Sequence, residues 1–134
     1  MTLQLPAADL TWLTSVPDAQ AQAKKENKLV LLDFTGSDWC AVCKQLEANV
    51  FSKKEFADYA NKNLVLVEVD FPAQKKLDAA LAKANDALKD KYKIRGYPTL
   101  ILLKPGGSVV WKQEGDVEGG PAGMIAKLDE AKKK

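Results

Sequence analysis

The stretch Leu31-Leu32-Asp33-Phe34-Thr35-Gly36-Ser37-Asp38-Trp39-Cys40-Ala41-Val42-Cys43-Lys44 decides the fold. It begins inside Leu29–Phe34, which is apolar except for Asp33, the pattern of a buried strand. Thr35–Trp39, with Gly36, reads as a turn-rich loop, and a helix is expected from near Cys40 to about Asn49. Cys40 and Cys43 are the chain's only cysteines, so a C-x-x-C pair stands at a strand-to-helix junction. Unpaired backbone N–H groups and the positive dipole end there favour a thiolate. A lowered pKa makes the first cysteine a nucleophile near neutral pH. The second, one turn further in, is placed to attack a mixed disulfide and release the substrate.

Other uses of two cysteines fit less well. A bridge between residues this close closes a tiny loop and contributes little chain entropy, so a structural staple is a poor reading. Structural zinc wants four ligands, and two cysteines in a chain with no histidine supply two, so no metal site is expected. The absence of histidine also removes Ser-His and Cys-His catalysis and a histidine pH switch. Twenty basic residues against 18 acidic give +2, too little for a protein whose work is gripping nucleic acid. Apolar runs such as Leu29–Leu32 and Leu64–Val67 stop at four residues, so no membrane-spanning helix is expected. The 134 residues, 46% hydrophobic and 28% charged, read as one globular domain over 1–134.

Outward from the cysteines the pattern alternates. Leu10–Leu13 is expected as a short first strand or an anchor. Pro17–Asn27 reads as a helix with proline near its start and Asn27 to end it. Ser52-Lys53-Lys54-Glu55 has the form of a capping box, with Phe51 and Phe56 spaced for a hydrophobic staple, and predicts a helix over Lys53–Lys62. Leu64–Val69 is a second buried strand whose one charge is Glu68. After Phe71-Pro72, the residues Leu77, Leu81, Ala84, Leu88 and Tyr92 mark one face of a long amphipathic helix. Thr99–Leu103 and Ser108–Lys112, joined by Lys104-Pro105-Gly106-Gly107, predict a hairpin, and Gly119-Gly120-Pro121 opens a last helix. Strands alternating with helices imply parallel βαβ pairing, and the hairpin adds antiparallel strands. The expected architecture is α/β, a mixed sheet of four or five strands with helices on both faces.

Asp33-Phe34, Trp39-Cys40-Ala41-Val42-Cys43-Lys44 and Tyr92-Lys93-Ile94-Arg95-Gly96-Tyr97-Pro98-Thr99-Leu100 together resemble the thioredoxin superfamily over about residues 25–130. Phe34-Thr35-Gly36-Ser37-Asp38-Trp39-Cys40, with Val69-Asp70-Phe71-Pro72 downstream, is most similar to bacterial thioredoxin-like proteins, many of them exported disulfide reductases. The resemblance implies the thioredoxin fold, Cys40 as attacking thiol and Cys43 as resolving thiol. It implies Trp39 packed beside the site and Pro98 as a cis-proline facing the cysteines. Tyr97 and Thr99 would offer backbone groups to an extended substrate. Plain core packing for Trp39 and an ordinary strand-start proline at Pro98 are the competing readings.

A carboxyl in an apolar strand should be desolvated, with a raised pKa. The resemblance implies that Asp33 assists proton transfer at Cys43; a buried carboxyl that ties a loop is the alternative. Asp33 lies one residue farther from the first cysteine than in ordinary thioredoxin, and Leu64–Val69 has no match for the family's lysine. Asp38 reads as a surface or helix-entry residue, and Lys44 as a solvated first-turn residue. Ala41-Val42 places no cation between the cysteines, and Asp33 and Asp38 oppose a thiolate, which favours a reductase over an oxidase.

The expected function is a thiol-disulfide oxidoreductase that reduces protein disulfides through Cys40 and Cys43. It needs no bound cofactor, only an upstream thiol donor that re-reduces it at the surface around Cys40, and it is expected to act as a monomer. A disulfide oxidase or isomerase is the runner-up; a thioredoxin-fold binding or chaperone module is the reading from another class. Met1–Pro6 has neither the basic region nor the apolar stretch of a secretory signal, so the chain taken as complete reads as cytoplasmic. The resemblance implies a periplasmic or otherwise exported protein.

Overall fold

In a computed structural model that describes residues 10–134, the strand carrying Asp33 lies at the centre of the sheet. The elements run β1 Trp12–Leu13, α1 Val16–Glu26, β2 Leu29–Thr35, α2 Ala41–Leu46, a π-helical turn Glu47–Phe51, α3 Lys54–Asn63, β3 Leu64–Asp70, α4 Ala79–Lys91, β4 Thr99–Leu103, β5 Val109–Glu114 and α5 Gly120–Lys132. Strand order is β1-β3-β2-β4-β5. β2 pairs parallel with β3, from Leu29 opposite Leu64 to Thr35 opposite Asp70, and antiparallel with β4. β5 closes the antiparallel hairpin with β4. This is the expected mixed sheet, with the fifth strand supplied by β1, which begins at Trp12 rather than Leu10.

Strand periodicity divides the core into two layers. Leu31, Leu64, Leu66, Leu100 and Leu102 pack with Leu46, Phe56, Met124 and Leu128 beneath α2, α3 and α5. Val30, Leu32, Phe34, Val65, Val67 and Ile101 pack on the opposite face with Ala19, Ala23 and Ile94. Asp33, two residues from Leu31, therefore faces the layer beneath α2.

Local signals explain the first helix. The Ser15 hydroxyl accepts from Asp18 N–H, Pro17 sits in the first turn, and Asn27 ends the helix with a left-handed φ of 56°.

Two local expectations differ. The capping box at Ser52 does not form: Ser52 completes the preceding helix, its hydroxyl donating to Ala48 O and its N–H to Glu47 O. α3 starts one residue later, with Lys53 as an N-cap that makes no side-chain bond. The staple contact between Phe51 and Phe56 is present at 5.0 Å between ring centroids. The helix after Phe71-Pro72 begins only at Ala79, leaving Leu77 outside it. The chain over Ala73–Lys75 is held elsewhere, by Asp38. Along α4 the fully buried side chain is Asn85, whose amide donates to Asp70 O at 3.0 Å.

Candidate active site

β2 delivers the chain to Cys40, which is the N-cap of α2 with extended φ and ψ of −90° and 109°. Its Sγ accepts a hydrogen bond from the Cys43 N–H at 3.2 Å, one of the donors that a helix start leaves unpaired. The two cysteines are free thiols, 7% and 6% exposed. Both residues are therefore almost wholly covered by their neighbours. Beside it, Val42 and Trp39 are exposed, Trp39 by 48%.

The Tyr97–Pro98 peptide bond is cis, and the Tyr97 carbonyl accepts from the Cys40 thiol at 3.7 Å. Trp39 meets the Tyr97 ring edge-on at 5.6 Å, and Phe71 packs against Tyr97 at 5.3 Å. Thr99, expected to offer backbone to an extended substrate, begins β4. It is buried inside the sheet, in register with Phe34 on one side and Glu114 on the other, and its hydroxyl donates to Gly96 O.

Cys43 points inward to a cavity of about 280 Å3 whose walls include Trp12, Asp33, Lys44, Glu47 and Glu68. Burial, and then its hydrogen-bonded neighbour Cys40, push the Cys43 thiol up to about 11. Asp33 is 8% exposed, and its Oδ1 is buried without a hydrogen-bond partner. Desolvation, followed by the charges of Glu68, Glu47 and Asp70, pushes the Asp33 carboxyl up to about 8. Glu47 and Glu68 are raised as well, each chiefly by desolvation. Glu47 is an exposed residue whose carboxyl meets the cavity mouth, whereas Glu68 is half-buried.

A second group of polar residues fixes the loop ahead of the cysteines. Asp70, at the end of β3, accepts the Ser37 N–H at 2.9 Å and the Ser37 hydroxyl, and pairs with Lys75 at 3.3 Å. Asp38 accepts the N–H groups of Ala73, Gln74 and Lys75 at 2.8–2.9 Å. These bonds, that of Ala73 first, hold its carboxyl down at about 2. The Trp39 indole donates to Phe71 O at 2.7 Å. Gly36 leaves room for that indole, because a Cβ there would fall on the ring.

The thioredoxin-like domain family matches residues 16–132. The chain belongs to the thioredoxin-like family. It is 33% identical over 98% of its length to the disulfide bond reductase DsbH of Chlamydia pneumoniae, of which it covers 78%. A solved DsbH oxidoreductase superposes with a TM-score of 0.88 at 32% identity, over 99% of this chain and 91% of that one. The chain is also 33% identical to the thiol:disulfide interchange protein DsbD of Vibrio cholerae, over 73% of its own length and 15% of that larger protein. The oxidised C-terminal domain of Neisseria meningitidis DsbD shares the fold, with a TM-score of 0.65 at 20% identity, over 90% of this chain and 99% of that one. Fold, thiol pair and relatives together make this thioredoxin-like chain a thiol-disulfide oxidoreductase with thiol redox partners.

In this thioredoxin-like site, Cys40, Cys43, Trp39, Tyr97 and Pro98 come together around one opening, and Asp33 stands behind Cys43. The sequence alone assigns no role to Ser37 and Asp70, and for Asp38 only a surface or helix-entry position. Asp38 lies at the surface, where it binds the turn beyond β3 rather than the entry of α2. Its partners lie about 35 positions away, where no local spacing announces them. Among the described residues no group of three or more Cys, Asp or Glu has the arrangement of a metal site. No helix among them is long and apolar enough to cross a membrane.

Proposed function

We propose that the chain works as a protein-disulfide reductase through a dithiol exchange cycle. The Cys40 thiolate attacks a substrate disulfide, forming a mixed disulfide and releasing one substrate sulfur as a thiolate that takes a proton from water. Cys43 then loses its proton to the Asp33 carboxylate and attacks Cys40 Sγ; the Cys40–substrate bond breaks, and the second substrate sulfur leaves as a thiolate that takes a proton from water. The chain ends oxidised at Cys40–Cys43, and a donor dithiol restores it. The observation that carries this reading is the placement of Cys43 between Cys40 Sγ and the walls that hold Asp33. The Cys43 N–H directed at Cys40 Sγ stabilises charge on that sulfur during attack and departure.

The Tyr97 backbone, just before the cis peptide and beside Cys40, is the group that would hold an extended substrate segment, with Thr99 set within the sheet between Phe34 and Glu114. Trp39, Phe71 and Pro98 then supply the apolar surround. Ala41-Val42 supplies no cation to stabilise the reduced pair, which favours reduction over oxidation of partners.

The reduction potential of the Cys40/Cys43 pair tests the direction. A value near or below about −270 mV supports a reductase, and a value between about −180 and −120 mV overturns that direction in favour of making or shuffling disulfides. Retention of full activity by Cys40→Ser would instead identify a binding module whose thiols are incidental.

A further inference from the structure

Asp33 and Glu68 are register partners on the adjacent parallel strands β2 and β3. Paired residues leave the same face of a sheet, with strands about 4.8 Å apart, so both carboxyls enter the cavity that also receives Cys43. Their surroundings differ. Asp33 is buried with an unpartnered Oδ1, while Glu68 is half-buried, nearer solvent. Among the described residues Glu68 makes no ion pair and no side-chain hydrogen bond. The other charges around Asp33 are distributed or engaged. Asp70 is taken up by Ser37 and Lys75, Glu47 approaches from the π-helical turn, and Lys44 lies on the cavity wall. Lys75 is the cation that acts on Glu68, and it is bonded to Asp70.

A negative charge in register with Asp33 opposes its ionisation. We propose that Glu68 is a positioning residue that keeps a proton on Asp33, so that Asp33 hands it to Cys43 when an incoming donor thiol opens the Cys40–Cys43 disulfide. This rests on the exchange cycle above. In that step the donor thiolate forms a bond to Cys40 Sγ, the Cys40–Cys43 bond breaks, and Cys43 leaves with the bonding electrons. The Asp33 proton moves to Cys43 Sγ, and the Asp33 carboxylate regains a proton from solvent through the cavity. The donor's second thiol then displaces Cys40, so the donor dithiol is oxidised to its disulfide and the chain is reduced. A buried thiolate at Cys43 is unfavourable, which is why the step needs a proton at hand.

The same arrangement works against substrate release, in which Cys43 must give its proton to Asp33. Glu68 therefore speeds recharging and restrains release, and removing its charge moves the two half-reactions in opposite directions. A role in folding alone would not do so.

The test uses the full chain with Glu68→Gln and Glu68→Lys. Recharging is followed by stopped flow with dithiothreitol. Release is followed from the mixed disulfide of Cys40 with thionitrobenzoate. The Asp33 titration is read by carboxyl carbon NMR. We expect the Asp33 midpoint to fall by about one pH unit or more, further in the lysine variant. At pH 7.5, recharging should slow by roughly threefold or more while release accelerates. An unmoved Asp33 midpoint, or two half-reactions that change in the same direction, overturns the role of Glu68. An Asp33→Asn variant that recharges at the wild-type rate while the midpoint does move in Glu68→Gln overturns the proton transfer through Asp33. A wild-type chain that exchanges with neither reagent overturns the cycle itself.

Discussion

Asp38 and Asp70 hold each other's loops: Asp38 binds three backbone N–H groups just beyond β3, and Asp70 at the end of β3 binds the Ser37 backbone and hydroxyl next to Asp38. The exchange is reciprocal, so neither segment is free to move without breaking charge-assisted bonds at both. Between them the Trp39 indole donates to Phe71 O, and both rings pack against Tyr97. The position of the aromatic wall beside Cys40 is thereby set by two carboxylates outside the thiol pair.

Replacing Asp38 by alanine should release the turn at Ala73–Lys75 while leaving the sheet intact. Amide hydrogen exchange is expected to accelerate by roughly tenfold or more at those three positions. Protein-disulfide reduction should slow while the reaction with a small disulfide changes little. Unchanged protection at Ala73, Gln74 and Lys75 would show that other contacts hold the turn.

At Gly36 the limit is steric. A Cβ would occupy the place of the Trp39 indole, so Gly36→Ala must expel the ring or move the loop. Overpacking of this kind costs about 1–3 kcal/mol. Denaturant unfolding should report that loss. Trp39 fluorescence, compared with a Trp39→Phe control, should show the indole more exposed.

Asp33 makes stability depend on pH with a definite sign. Its pKa is raised in the folded chain to about 8, so the folded state keeps a proton that the unfolded state has released. The stability this confers is fully present below the ordinary carboxylate range near pH 4 and is lost as pH rises through about 8. Asp33→Asn should lack that slope. Against wild type it should gain stability from pH 5 upward, reaching on the order of 3–5 kcal/mol at pH 9. Urea unfolding at pH 4, 7 and 9 measures the difference, and parallel curves for the two proteins would refute it.

The two thiols should separate cleanly by substitution. Cys40→Ser is expected to lose exchange with protein disulfides altogether. Cys43→Ser should instead accumulate a mixed disulfide, visible as added mass that reductant removes. In the wild-type chain the resolving step should quicken as pH rises toward about 8, where Asp33 becomes able to accept the Cys43 proton. A resolving rate flat between pH 6 and 9 would remove Asp33 from that step.

Much of this was legible in the sequence because it is local. The apolar run around Asp33, the cysteine spacing and the turn before them place C-x-x-C at the end of a central strand, and β2 lies there. Thr99–Leu103 likewise reads as a strand from its own residues, and it is β4, which pairs with β2. What was not legible depends on partners far along the chain. Asp38 and Ser37 reach residues more than thirty positions away, and the Asp33–Glu68 pairing follows from strand register, which no single segment encodes. The capping box at Ser52 failed for a local reason of another kind. The helix before it runs on through a π-helical turn and takes up Ser52 as its own terminus.

The sheet's two borders also bear on how such a chain stays apart from other extended chains. β1 has two residues, too few to template a long strand. β5 is longer and carries the exposed Val109, but its register shifts between Leu102 and Leu103, and Lys112 and Glu114 stand exposed along it. Truncation at one border, and a bulge with charged side chains at the other, discourage a sticky extended polypeptide from adding itself to the rim of the sheet. The sheet is thereby protected from edge-to-edge pairing, whatever extended chain it meets.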